Sequence, residues 1–315
     1  MSNTQLRTTS SISPIHDVYD LLSKYSYRPI VEEFNYERHS KQAIRIASWN
    51  LDNLTQEKAR NLGVVEVICC TILDYKWSLV AIQGVRELLA LKIICDELNR
   101  PTLPCIKIMK DNSRSWKYCM CDTKTGLGFI YDSVSNEWGV DIASLSHEII
   151  DECQSIIITF SIKGVAFTII NVGSISSSAE EFEKSLRELL QNFTGPVLVV
   201  GDVNKITEQT EGNIIKELAT LKAVIPLSLN TSCQHLKSNL RFTDTILINN
   251  VAQTAYYDDE WGVVREGLTH LAIPEGWDWG GAASTHCPVW AEFYVAPNKV
   301  LLESWKISLE SDKGN

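Results

Sequence analysis

Apolar residues along this chain follow two rhythms, and the changes from one to the other mark out its elements. The stretch Pro196-Val-Leu-Val-Val-Gly-Asp-Val-Asn204 contains an unbroken apolar run from Val197 to Val200, as expected of a strand covered on both faces. Gly201 then releases the backbone. Asp202 and Asn204 fall on one side of the strand end, because side chains alternate with period two. Ile44-Arg-Ile-Ala-Ser-Trp-Asn50 alternates and ends on Asn50, and Trp77-Ser-Leu-Val-Ala-Ile-Gln-Gly84 is a second buried strand ending in Gln83. Short strands are also predicted at 116–120, 126–131, 156–162, 165–171, 242–248 and Val289–Tyr294. Helical spacing predicts helices over 56–72, 88–98, 179–192 and 213–221. Ahead of them, Ile15, Val18, Leu21 and Leu22 recur at helical spacing behind Pro14, giving a short amphipathic helix that should dock on the main body.

These elements divide the chain into a polar lead over 1–13 expected to be disordered, a helix and connecting segment over 14–42, one large domain over 43–296, and a charged tail over 297–315. With 315 residues, 44% hydrophobic and 22% charged, the chain can bury a sizeable core. No apolar run approaches the roughly 18 residues that span a bilayer, and the lead lacks the apolar centre of a signal peptide. Nine scattered cysteines, an odd number set mostly in apolar surroundings, read as reduced core residues and point to nucleus or cytoplasm. Cys119 and Cys121 have neither a second pair nor a nearby His, so they do not make a zinc site. A net charge of −10 gives no global attraction to nucleic acid, so DNA binding is expected to be weak and to fall steeply with salt.

Although taken singly a stretch such as Gly201-Asp202-Val203-Asn204 reads first as a strand-ending turn, since Gly, Asp and Asn are the usual turn residues, the polar residues at the strand ends are the candidates for chemistry. In order they read Ser48-Trp49-Asn50, Ala81-Ile82-Gln83-Gly84, Asn171-Val172-Gly173, Gly201-Asp202-Val203-Asn204, Thr243-Asp244-Thr245 and Ser284-Thr285-His286-Cys287-Pro288. Over about 44–294 that order resembles the signature of the endonuclease/exonuclease/phosphatase superfamily. The resemblance implies an α/β fold, a four-layer DNase-I-like sandwich of two mostly antiparallel sheets flanked by helices, with the active site at one rim. It also implies magnesium-dependent phosphodiester chemistry, and the family's roles carry over onto Asn50, Asp202, Asn204, Asp244 and His286.

Three positions depart from the pattern. The metal-binding Glu is Gly84, the phosphate-contacting His is Gly173, and the acid before the final His is Thr285. Magnesium needs hard anionic oxygens in near-octahedral array, which Gly and Thr do not supply. Losing one phosphate contact costs on the order of 3 kcal/mol, by analogy with oxyanion-donor deletions. Glu87 reads as a solvated first-turn residue of the next helix, and Asp52 as a loop residue, so neither is expected to replace the lost Glu.

Among the remaining candidates, Lys107, Lys110, Arg114 and Lys117 form the notable positive cluster, which reads as a solvated loop in preference to a contact for a phosphate backbone. Trp261, Trp277 and Trp279 read as pinning their loop to the sheet, in preference to forming a base-stacking platform. His147, His235 and His270 read as surface or packing residues. The functional expectation is a catalytically inactive nuclease-like protein, a pseudonuclease that binds DNA weakly or a protein partner and needs no cofactor. The alternative is a residual endonuclease or phosphoesterase with an altered site that uses magnesium. Restoring Glu, His and Asp at 84, 173 and 285 together is expected to rebuild a magnesium site.

Overall fold

The computed structural model describes residues 14–122, 124–134, 139–150, 153–173, 179–203, 221–233 and 242–296. In chain order the elements are α1 (Pro14–Tyr25), β1 (Glu37–Arg38), β2 (Lys41–Leu54), α2 (Gln56–Arg60), α3 (Leu62–Asp74), β3 (Trp77–Val85), α4 (Leu88–Asn99), α5 (Pro104–Met109), β4 (Trp116–Cys119), β5 (Leu127–Asp132), β6 (Asp141–Ile150), β7 (Cys153–Ile162) and β8 (Val165–Val172). They continue with α6 (Ala179–Leu190), β9 (Val197–Asp202), β10 (Leu221–Ala223), β11 (Asp244–Asn249), α7 (Asn250–Ala255), β12 (Tyr257–Val263), β13 (Pro274–Glu275), β14 (Asp278–Trp279) and β15 (Val289–Tyr294).

Two sheets follow from the pairing. One runs β12-β15-β2-β3-β5-β4, with β1 added against β2, and the other runs β10-β11-β9-β8-β7-β6. The neighbours are antiparallel except β2 with β3 and β8 with β9. Three apolar clusters then define four layers. Between the sheets, Ile44, Ile46, Leu79 and Ala81 meet Ile156, Ile158, Leu198, Val200 and Ile246. On the outer face of the first sheet, Trp49, Val80 and Ile82 pack under α3, α4 and α5 through Val64, Ile68, Leu91 and Ile106. On the outer face of the second, Val197, Val199 and Ile170 pack under Phe182 and Leu186 of α6. Alternation thus sends successive residues of one strand into different cores, which is why β9 reads as continuously apolar.

A buried amide node ties the sheets together. Gln83 Nε2 donates to Asn171 Oδ1 at 2.8 Å and to Ser48 Oγ at 3.0 Å, while Asn171 Nδ2 donates to the carbonyls of Ile82 and Gly128, each at 3.1 Å. Gln83 and Asn171 are therefore used inside the sandwich and do not face solvent.

Several elements differ from the sequence expectation. The helix expected over 56–72 breaks at Asn61, whose side chain accepts from Val64 N at 3.1 Å and caps α3. Strands β6 and β12 were not expected. They are edge strands with mostly exposed or partly exposed side chains, so no hydrophobic alternation marks them. Leu221, expected as the last residue of a helix, begins β10, and 213–220 lie outside the described residues. Helix α1 docks as expected, but not by its apolar face. Tyr19 and Ser23 donate hydroxyl hydrogen bonds to the buried Glu66 carboxylate of α3, while Val18 and Leu21 are 59% and 56% exposed. Among the described residues, no helix is long and apolar enough to cross a membrane.

Candidate functional site at the sheet rim

Strand ends from both sheets deliver polar side chains to one rim. Strand β2 brings Asn50, β9 brings Asp202, β11 brings Asp244, and the loop before β15 brings His286. Asp202 and Asp244 are register partners across β9 and β11. His286 Nδ1 lies 2.8 Å from Asp244 Oδ2, and its Nε2 lies 3.4 Å from Asn50 Nδ2. Residues far apart in the chain thus meet, as the sequence order implied. Asn204 lies outside the described residues.

The fold holds His286 tightly. Trp49 Nε1 donates to its carbonyl at 3.0 Å, Ser284 Oγ accepts from its N–H at 3.1 Å, and the Phe242 ring stacks on the imidazole at 3.9 Å between centroids. Asp244 Oδ2 also accepts from Thr231 Oγ1 at 2.6 Å, whereas Asp244 Oδ1 is buried with no hydrogen-bond partner among the described residues. Burial alone would lower the His286 pKa. The hydrogen bond and charge of Asp244, with the charges of Asp52 and Asp202, outweigh it and raise the pKa above the ordinary value.

Asp52, expected as a loop residue, is part of this site. It lies in a β-bulge where the β2–β3 register shifts between Asn50 and Leu54, and Asp52 and Asn53 have φ of 45° and 53°. The bulge aims the carboxylate inward. Oδ2 accepts from Thr285 N at 2.7 Å and from the Thr285 hydroxyl, and Oδ1 stands 3.7 Å from His286 Nε2. The signal was legible as Asp52-Asn53 two residues after Asn50, since these two types tolerate left-handed backbone.

That bulge also closes position 84. Gly84 has φ of +75°, and a Cβ there would sit 2.9 Å from Asn50 Oδ1 and 2.9 Å from the backbone N of Asp52. A side chain at 84 would meet backbone as well as a side chain. Position 173 is less tight, a Cβ meeting Gln154 O at 3.3 Å. An acid at 285 would face Asp52 across the contact that Thr285 now fills by donating. A Glu at 84 would have to displace the bulge, which weighs against the expectation that Glu, His and Asp at these positions rebuild a magnesium site. Among the described residues, no three His, Cys, Asp or Glu side chains gather closely enough to hold a metal ion. The donors present do not reproduce the set that the resemblance implies for magnesium.

Two other readings change. Arg114 is buried, pairs with Asp132 at 2.8 Å, donates to the Trp77 carbonyl and lies 4.2 Å over the Trp116 ring. Trp77 begins β3 and the site is at its far end, so Arg114 serves the base of the sheet and not a phosphate. Lys107, Lys110 and Lys117 are exposed, and Lys117 pairs in register with Tyr131 toward that same base. The tryptophans do not pin their loop: Trp277 is 104% exposed and Trp279 68%. Trp261, in β12, is 37% exposed. Glu87 is exposed at the N-cap of α4, and His270 is buried against Tyr19, as expected of a solvated and a packing residue. His147 is exposed and bonded to Gln154, while His235 lies outside the described residues.

No family model matches the chain. Its curated relatives include endonuclease/exonuclease/phosphatase family domain-containing protein 1 of Xenopus laevis, 32% identical over 300 residues, and of Homo sapiens, 31% identical over 302. Each alignment covers 86% of this chain. They cover 53% and 52% of those relatives, so the chain spans about half the length of the proteins it matches. The same sandwich appears in an endonuclease/exonuclease/phosphatase family protein of Bacteroides thetaiotaomicron, with TM-score 0.57 and 16% identity, covering 80% of this chain and 95% of that one. The chain is homologous to endonuclease/exonuclease/phosphatase family domain-containing protein 1 over that half and has the endonuclease/exonuclease/phosphatase fold. Two further superfamily folds match at low identity. The Bacteroides thetaiotaomicron mannosyl-6-phosphatase has TM-score 0.56 and 15% identity over 79% of this chain and 99% of its own. Danio rerio TDP2, in complex with single-strand DNA product, has TM-score 0.52 and 14% identity over 80% of this chain and 98% of its own.

Proposed function

We propose that this chain is a non-catalytic endonuclease/exonuclease/phosphatase domain that works by binding, with a protein partner favoured over nucleic acid. One observation carries the reading: the bulge that fills position 84 also turns the Asp52 carboxylate to His286 Nε2, at 3.7 Å. In active members of the superfamily, the resemblance implies, that histidine meets the scissile phosphate. Here its outer nitrogen already faces an anion, and an approaching phosphate would meet the charge of Asp52 at close range in a partly buried site. The net charge of −10 adds to the repulsion of DNA.

The test is cleavage by the purified chain of single-stranded, abasic and branched DNA, and of a sugar phosphate, with magnesium or manganese. The expected result is no turnover above background. A second reading, residual metal-dependent phosphoester hydrolysis, is favoured by the Asp202–Asp244 pair, the intact Asp244–His286 hydrogen bond and the unpartnered Asp244 Oδ1. Turnover that depends on the metal and disappears in Asp202→Ala would replace the first reading with the second.

A further inference from the structure

The rim carries an exposed aromatic hairpin that the retained superfamily residues do not use. Strands β13 and β14 pair Pro274 with Trp279 and Glu275 with Asp278 around a two-residue turn. Gly276, at φ of +62°, opens that turn and puts Trp277 at its tip. The base is fixed: Gly280 N and Gly281 N both donate to Ile273 O, at 3.0 and 2.9 Å, and His270 N donates to Gly281 O at 3.1 Å. Two tryptophans, 104% and 68% exposed, are thus presented on a braced support. Trp is the residue type most often found as a binding anchor, and a rigid anchor loses little freedom when it is covered.

The charge around the hairpin selects the partner. From His270 to Thr285, apart from the buried His270, the ionisable groups are Glu275 and Asp278, both exposed. At the foot of β13 lies a cavity of about 230 Å³ lined by Asp52, Lys58, Pro274, Glu275 and Thr285. Lys58 spends its ammonium on the carbonyls of Leu51 and Asp52, at 2.6 and 2.8 Å. The surface therefore offers aromatic faces beside carboxylates, which suits a cation carried on an apolar segment and opposes a phosphate backbone.

We propose that the Trp277/Trp279 hairpin and the cavity at its foot form a docking site for a basic segment of a protein partner. A Lys or Arg of that segment enters between Asp52 and Glu275, and a neighbouring apolar side chain covers the tryptophans. This rests on the reading that the domain works by binding, and it names the partner's chemistry.

The experiment is fluorescence anisotropy with labelled dodecapeptides that carry Arg or Lys beside Leu, Phe or Trp, against a labelled twelve-nucleotide oligo-dT. Wild type is compared with Trp277→Ala/Trp279→Ala and with Glu275→Lys/Asp278→Lys. All four side chains are exposed, so the variants should melt with the wild type. Peptide binding by the wild type, weakened about tenfold or more in each double variant, with oligo-dT bound more weakly than peptide, is the expected result. Equal or tighter binding of oligo-dT would make the hairpin a nucleic-acid platform and overturn the proposal. Absence of peptide binding, or binding unchanged in the double variants, would overturn it as well. Turnover is not read in this experiment, so a catalytically active protein would refute the non-catalytic reading and leave the docking result standing.

Discussion

At the base of the first sheet, where β2 and β3 begin, buried cations and carboxylates are matched. Arg45 and Arg38 both reach Glu292 at 2.8 Å, with Arg45 at 2% and Glu292 at 0% side-chain exposure, and Arg114 pairs with Asp132 at 2.8 Å. At the rim, where the same strands end, Asp52, Asp202 and Asp244 gather around the single imidazole of His286. Arg38 also lies 3.6 Å from Glu32, so each guanidinium at the base has a carboxylate partner. At the rim the charges of three carboxylates act on one imidazole. The paired charges and the candidate site thus lie at opposite ends of one pair of strands.

The largest effect should come from breaking the base. Glu292→Gln leaves Arg45 buried without its carboxylate and should cost about 3–5 kcal/mol in urea unfolding, whereas Asp52→Asn, at a rim side chain 32% exposed, should cost less than about 1 kcal/mol. Equal costs would mean that the rim is as structural as the base. Next, Gly84→Glu should destabilise by roughly 2–4 kcal/mol, the sum of left-handed backbone and overpacking, with no magnesium-dependent rise in Tm. A magnesium-dependent rise would show that the rim lacks only a ligand and that the bulge yields.

The smallest effect is a pH dependence of a few degrees in Tm. His286 has a folded pKa above its unfolded value, so its contribution is complete below about 6.5 and is lost as pH rises through the folded value. Burial, reinforced by Glu292 and Glu260, pushes Asp258 up to about 7, and its contribution also fades as pH rises toward that value. The two act in the same direction, so Tm should fall from pH 6 to pH 8. Asp244→Asn should flatten the upper part of that fall and Asp258→Asn the lower part. A Tm that rises over this range would contradict both assignments.

Much of the rim was legible because strand ends announce themselves. A buried apolar run closed by Gly and a polar residue, as in Val197–Asp202, specifies both the element and the direction of its last side chain. The order of six such ends carried the superfamily and the four layers. Less visible was anything set by left-handed backbone or by pairing without burial. Asp52 reads as a loop residue until the bulge turns it inward, and β6 has no alternation because its side chains face solvent. Arg114 reads as part of a basic patch, since nothing local reveals that Asp132, eighteen residues later, will bury it. Tyr19 and Ser23 hold α1 by hydroxyls, which a search for apolar periodicity passes over.

The central claim is that the rim has been rebuilt from a catalytic centre into a binding surface. Its most direct test is phosphodiester turnover by the purified wild-type chain, with magnesium and with manganese, beside Asp202→Ala as control. The account predicts that wild type and control are indistinguishable from the uncatalysed rate. Metal-dependent turnover in the wild type that Asp202→Ala abolishes would contradict it.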